Sequence, residues 1–105
     1  MNPPIDAPRL PIDDAALAAF CRRHHIRRLS LFGSRLQGRE RPESDVDLLV
    51  EFDPSRMPGL MAVAGMEAEL SVLLGGLAVD LRTAQDLSRH FRDEVVATAQ
   101  VRYAG

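Results

Sequence analysis

The stretch LFGSRLQGRERPESDVDLLVEF, Leu31 to Phe52, constrains this chain more than any other. An apolar run, Ile26 to Phe32, stops at Gly33-Ser34, as a strand entering a turn does. Ten polar residues follow, Arg35 to Ser44, and their Gly38 and Pro42 suggest a short helical turn and then a loop. A second run, Asp45 to Phe52, alternates at first and then becomes nearly continuous in apolar character. Continuous character fits a strand buried on both faces. Any fold for this chain must accommodate that strand, loop and strand.

The flanking segments supply the rest of a small domain. Residues 1–11 carry Pro3, Pro4, Pro8 and Pro11 and read as an extended lead-in outside the core, which leaves 12–105 as one domain. Asp13 or Asp14 can cap a helix running to about His25, with Leu17, Phe20, Cys21 and His24 forming its buried stripe. Asp53 to Gly59 reads as a turn. A second helix is expected from Leu60 to Leu74, with Leu60, Val63, Met66, Leu70 and Leu73 or Leu74 inward, closed by Gly75-Gly76. Leu77 to Arg82 reads as a third strand. Ser88 or Thr83 can cap a last helix with Leu87, Phe91, Val95 and Ala99 on one face, and Val101 to Tyr103 can add a terminal strand. The expected class is mixed α/β (α+β), with three or four strands in a small sheet and helices packed on it.

Composition narrows the chemistry. All 13 basic side chains among the 105 residues are arginine. A Schiff-base lysine, a P-loop lysine and a lysyl-nucleotide intermediate are therefore excluded. Phosphate chemistry would have to use metal ions, backbone N–H groups, hydroxyls or arginine. No apolar run is long enough for a membrane span, and MNPPIDAPRLP lacks a basic segment followed by an apolar one, so no secretory leader is expected. Cys21 is alone and no Cys/His cluster suggests zinc, so a reducing, cytoplasmic setting is the expectation. Arg22, Arg23, Arg27, Arg28, Arg35, Arg39 and Arg41 make a basic region that is either a solvated surface or an attractor of a polyanion or acidic partner. A net charge of −2 and aromatics that mostly fit core positions disfavour nucleic acid as the main ligand.

Asp45 and Asp47 would project from one face of a strand. Two such carboxylates either sit in solvent as turn acids or share a hard cation such as Mg²⁺. Leu49 occupies the next ligand position and excludes an EF-hand. Gly33-Ser34 is either a tight turn or a place where backbone and hydroxyl approach an anion. Taken together, Gly33-Ser34, ten residues and Asp45-Val46-Asp47 resemble the signature of the DNA polymerase β-like nucleotidyltransferase superfamily. Arg35, Gly38, Ser44 and Leu48-Leu49-Val50-Glu51-Phe52 resemble its minimal nucleotidyltransferase (MNT) branch, and the resemblance spans roughly Asp13 to Tyr103.

That resemblance implies a third carboxylate on the next core strand, which here is Asp80 in LAVDLR. It implies that Asp45 and Asp47 hold metal, two Mg²⁺ ions in all, and that Asp80 completes the second site and takes the proton of the acceptor hydroxyl. Gly33, Ser34 and Arg35 would then meet the phosphates of ATP. The catalytic module would consume nearly the whole chain, so the acceptor is expected to be held by a partner. The resemblance implies an antitoxin that transfers AMP to a tyrosine of a HEPN toxin. A non-catalytic module that blocks its partner by contact, or the catalytic subunit of a small-molecule nucleotidyltransferase, would keep the same fold.

Overall fold

The structure, a computed structural model, describes residues 10–33 and 45–105. Helix α1 (Asp14–Arg23) leads into strand β1 (Ile26–Phe32). Strand β2 (Val46–Phe52) follows, then a 3₁₀ turn (Pro54–Arg56), helix α2 (Leu60–Leu73) and strand β3 (Val79–Arg82). A second 3₁₀ turn (Ala84–Asp86), helix α3 (Arg89–Thr98) and strand β4 (Gln100–Ala104) close the order. The sheet runs β3-β2-β1-β4. β1 pairs antiparallel with β2 and β4, whereas β2 and β3 are parallel and joined through α2. A parallel pair needs such a crossover, and α2 supplies it.

Burial along β2 alternates strictly. Val46, Leu48, Val50 and Phe52 are buried; Asp47, Leu49 and Glu51 are not. The expectation of a strand buried on both faces is therefore corrected. The apolar face of the sheet packs on Leu17, Phe20 and Cys21 of α1 and on Met66 and Leu70 of α2. α3 lies on the other face, where Val96 and Ala99 line a cavity of about 190 Å³ with Ser30, Leu49 and Val101. It covers that face only in part.

Four further expectations change. Leu10, assigned to the lead-in, is 6% exposed and belongs to the core, because Ile12 N–H bonds back to its carbonyl at 2.8 Å and folds the segment inward. Leu60, expected inward, is 90% exposed, whereas Val63, Met66, Leu70 and Leu74 face the sheet or its margin. α2 carries apolar residues on every side, so periodicity gives it no direction. Phe91 is exposed too, although Leu87 and Val95 are buried as expected. His24 is no core residue: it is half-buried and its Nε2 lies 2.9 Å from Glu69 Oε1, where Arg23 also pairs. Of the two candidate caps for α3, Ser88 is the one used, its Oγ accepting from His90 N–H at 3.2 Å.

Cys21 is fully buried against the sheet, and burial pushes its thiol up to about 12, with Arg22 pulling weakly the other way. A protonated, enclosed thiol is a poor nucleophile. Iodoacetamide at neutral pH is expected to leave the native protein unmodified and to label it fully in denaturant, as read by intact mass. Rapid labelling of the native protein would mean that α1 does not stay docked.

Candidate active site

The alternation that buries Val46 and Leu48 sends Asp47 to the opposite face, and Asp45 lies two residues earlier on the same side. The parallel register sets Asp47 beside Asp80 and Leu48 beside Leu81. Leu81 is buried, so Asp80 must project from the face that carries Asp47. The sheet thus sets Asp47 and Asp80 side by side on one face, with Asp45 just before β2 and near enough for its charge to act on Asp47. Asp45 is exposed, and Asp47 and Asp80 are partly covered.

Their mutual repulsion is visible in Asp47. Burial first, and then the charges of Asp80 and Asp45, push its carboxyl above the usual carboxylate range, while Arg82 draws it down. Gly33 crowds the same carboxylate from the end of β1. Phe32 pairs with Asp47 across the strands, and the chain then turns at Gly33 with φ of +82°. A Cβ at this position would lie 3.1 Å from both Cβ and Cγ of Asp47. Only a glycine fits there without displacing something. The glycine expected from sequence to admit an anion also admits the acid beside it. Ser34, Arg35 and Ser44, the other expected members of the site, lie outside the described residues.

Among the described residues no three carboxylate, histidine or cysteine groups converge as an assembled metal cluster. Asp80 is paired instead with Arg82. Its Nε donates to both Asp80 carboxylate oxygens, at 3.1 and 3.0 Å. Arg82 had no place in the sequence reading, although its position two residues after Asp80 puts the two on one face of β3. Beside this pair the sheet edge opens into a cleft of about 360 Å³ lined by Leu60, Val63, Glu67, Asp80, Arg82 and Asp86. Glu67 accepts from Leu81 N–H at 2.8 Å, which satisfies an edge-strand donor that would otherwise be free to pair.

The donor set fits a hard divalent ion. Its chemistry is carboxylate oxygen, from Asp47 and Asp80 on neighbouring strands and from Asp45 just before β2, and among the described residues Arg82 offsets only part of the negative charge.

Residues 16–104 match the family described as Polymerase beta, Nucleotidyltransferase. The protein adenylyltransferase MntA of Thermococcus cleftensis is 41% identical over 59 residues, which are 56% of this chain and 57% of that protein. The chain thus spans under three-fifths of the length of that curated relative. A solved structure provisionally designated a minimal nucleotidyltransferase is 35% identical, with a TM-score of 0.66 over 82% of this chain and 85% of that one. A toxin–antitoxin structure solved with AMP-PNP superposes with a TM-score of 0.71 over 90% of this chain and 75% of that one. Its identity is 21%, so it speaks for the fold alone.

Proposed function

The chain belongs to the polymerase beta nucleotidyltransferase family, and from that premise we propose that it is a Mg²⁺-dependent protein adenylyltransferase, the cytoplasmic antitoxin of a HEPN-type toxin. The observation that carries the reading is the register of Asp47 beside Asp80, with the Gly33 backbone closed against Asp47. In this reading Asp45 and Asp47 hold Mg²⁺ and Asp80 completes a second ion's site. Mg²⁺ when bound supplies positive charge for the attacking and leaving oxygens.

The chain's own groups account for the remaining roles. Gly33 lets the backbone approach the triphosphate of ATP, and Ser34 and Arg35 follow it in sequence as phosphate donors. A tyrosine hydroxyl of the toxin attacks the α-phosphorus in line. Its oxygen forms the new P–O bond, the bond to the bridging oxygen of the β-phosphate breaks, and pyrophosphate leaves. Asp80 takes the phenolic proton. The absence of lysine from the sequence agrees with a mechanism that leaves phosphate charge to metal, hydroxyl, backbone and arginine. The name of the Thermococcus relative supports adenylyl transfer to a protein acceptor.

Co-expression with the neighbouring gene product tests the proposal. Intact mass of the purified neighbour is expected to show one or more AMP increments that vanish with Asp45→Asn plus Asp47→Asn. An unmodified but still inhibited neighbour would replace the enzyme reading with that of a binding module.

A further inference from the structure

Among the described residues a guanidinium, that of Arg82, stands at the site, and it is held by the acid that the proposed reaction needs free. Arg82 Nε bonds to both oxygens of Asp80. The charges of Asp86 and Asp47 also act on the same guanidinium. The Arg82 side chain is 48% exposed, and the adjoining cleft gives it room to move. The Arg82 Nε–H lies across both oxygens of Asp80, the side from which a divalent ion would take them together, and two cations held that close repel, so an ion seated there has to displace the guanidinium.

We infer that Arg82 is a built-in counter-cation that occupies Asp80 in the metal-free protein and must swing off it before Asp80 can ligate metal or accept a proton. The inference rests on the metal-site reading of Asp45, Asp47 and Asp80. Arg82 is a positioning residue: it acts on the reaction only through Asp80. While the pair is closed, it offsets part of the repulsion that Asp80 imposes on Asp47, so the metal-free domain keeps its acids together. Once released, the guanidinium finds Asp86, which the 3₁₀ turn holds nearby by accepting from Thr83 N–H at 3.1 Å. The strand then keeps one cation near the site in both states. It lies on Asp80 in the empty state and beside Asp86 in the loaded one.

Titration of Mn²⁺ into the full chain, followed by the loss of the free-ion electron paramagnetic resonance signal, reads this directly without turnover. Arg82→Gln is expected to bind Mn²⁺ on the order of 3–10-fold more tightly than the wild type, because a competing exposed ion pair is removed. Its metal-free form is expected to melt at a lower temperature. Arg82→Lys retains a cation without the guanidinium's fork and is expected to bind Mn²⁺ with an affinity between the two. Mn²⁺ affinity unchanged or weakened in Arg82→Gln would overturn the inference and make Arg82 a neutral or supporting member of the site. Asp47→Asn separates the two levels of the argument. If it binds Mn²⁺ like the wild type, the metal site fails and the role of Arg82 fails with it. If it loses Mn²⁺ while Arg82→Gln is unchanged, only the role of Arg82 fails.

Discussion

Asp47→Asn is expected to stabilise the metal-free domain while reducing nucleotidyl transfer by at least ~10³-fold. The two effects have one cause. Burial and the neighbouring Asp80 and Asp45 charges raise the Asp47 carboxyl in the folded state. A raised carboxyl favours the fold when protonated, and that contribution is lost as pH rises through the folded value. At neutral pH the wild type therefore carries an electrostatic cost that the amide does not. Solvent screening at a partly exposed site keeps that relief small, so its sign is what the experiment reads. The same ionised oxygens are the ones proposed to hold metal, and losing such charge stabilisation of a transition state costs several kcal/mol. Urea unfolding without divalent ions at about pH 7.5 and about pH 4 checks the stability arm, because the advantage of the variant should shrink as Asp47 takes up a proton. A variant less stable than the wild type at neutral pH would show that Asp47 is held by favourable contacts and that the acids do not strain one another.

The strands were readable because their chemistry is written in period two. Within β2, Val46, Leu48, Val50 and Phe52 define the buried face and leave Asp47 no choice of side. The same logic places Asp80 once Val79 and Leu81 are assigned to the core. The alternation was hidden at Leu49, which is apolar yet sits on the outer face with Asp47 and Glu51, and so the run looked continuous. Helices were harder. α2 has apolar residues all round, so Leu60 and Met61 could not be told from Met66 and Leu70 by pattern. The buried face was chosen by tertiary contact with the sheet.

The site was legible in its carboxylates and illegible in its cation. Aspartates spaced two apart next to a Gly-Ser turn announce themselves, because repulsion needs a reason. Arg82 does not, since one arginine at the end of a short strand is ordinary surface. Only the register of β3 against β2 reveals that it shares a face with three acids. The closeness of Gly33 to Asp47 is likewise a property of pairing across strands, and Leu31-Phe32-Gly33 alone gives no sign of it.

That closeness gives the second large effect. Gly33→Ala combines two penalties that can be measured apart. The backbone there has φ of +82°, a conformation that costs a non-glycine residue roughly 1–2 kcal/mol. The new methyl would also lie against the Asp47 carboxylate. The Asp47 backbone is pinned by pairing with Phe32 on one side and Asp80 on the other, so the side chain must give way. A displacement near 1 Å of a group that orients reacting atoms costs on the order of 10²-fold in rate. The expected result is a folded protein, less stable by about 1–3 kcal/mol, with transfer reduced ~10²-fold or more. Gly75→Ala is the control, because its φ of +75° carries similar strain while a Cβ there meets nothing within 4 Å. It should lose only the strain part, roughly 1–2 kcal/mol, and keep its turnover at temperatures where both variants are folded. Equal loss of turnover in the two variants would trace the effect to general destabilisation, whereas loss confined to Gly33→Ala would tie it to the contact with Asp47.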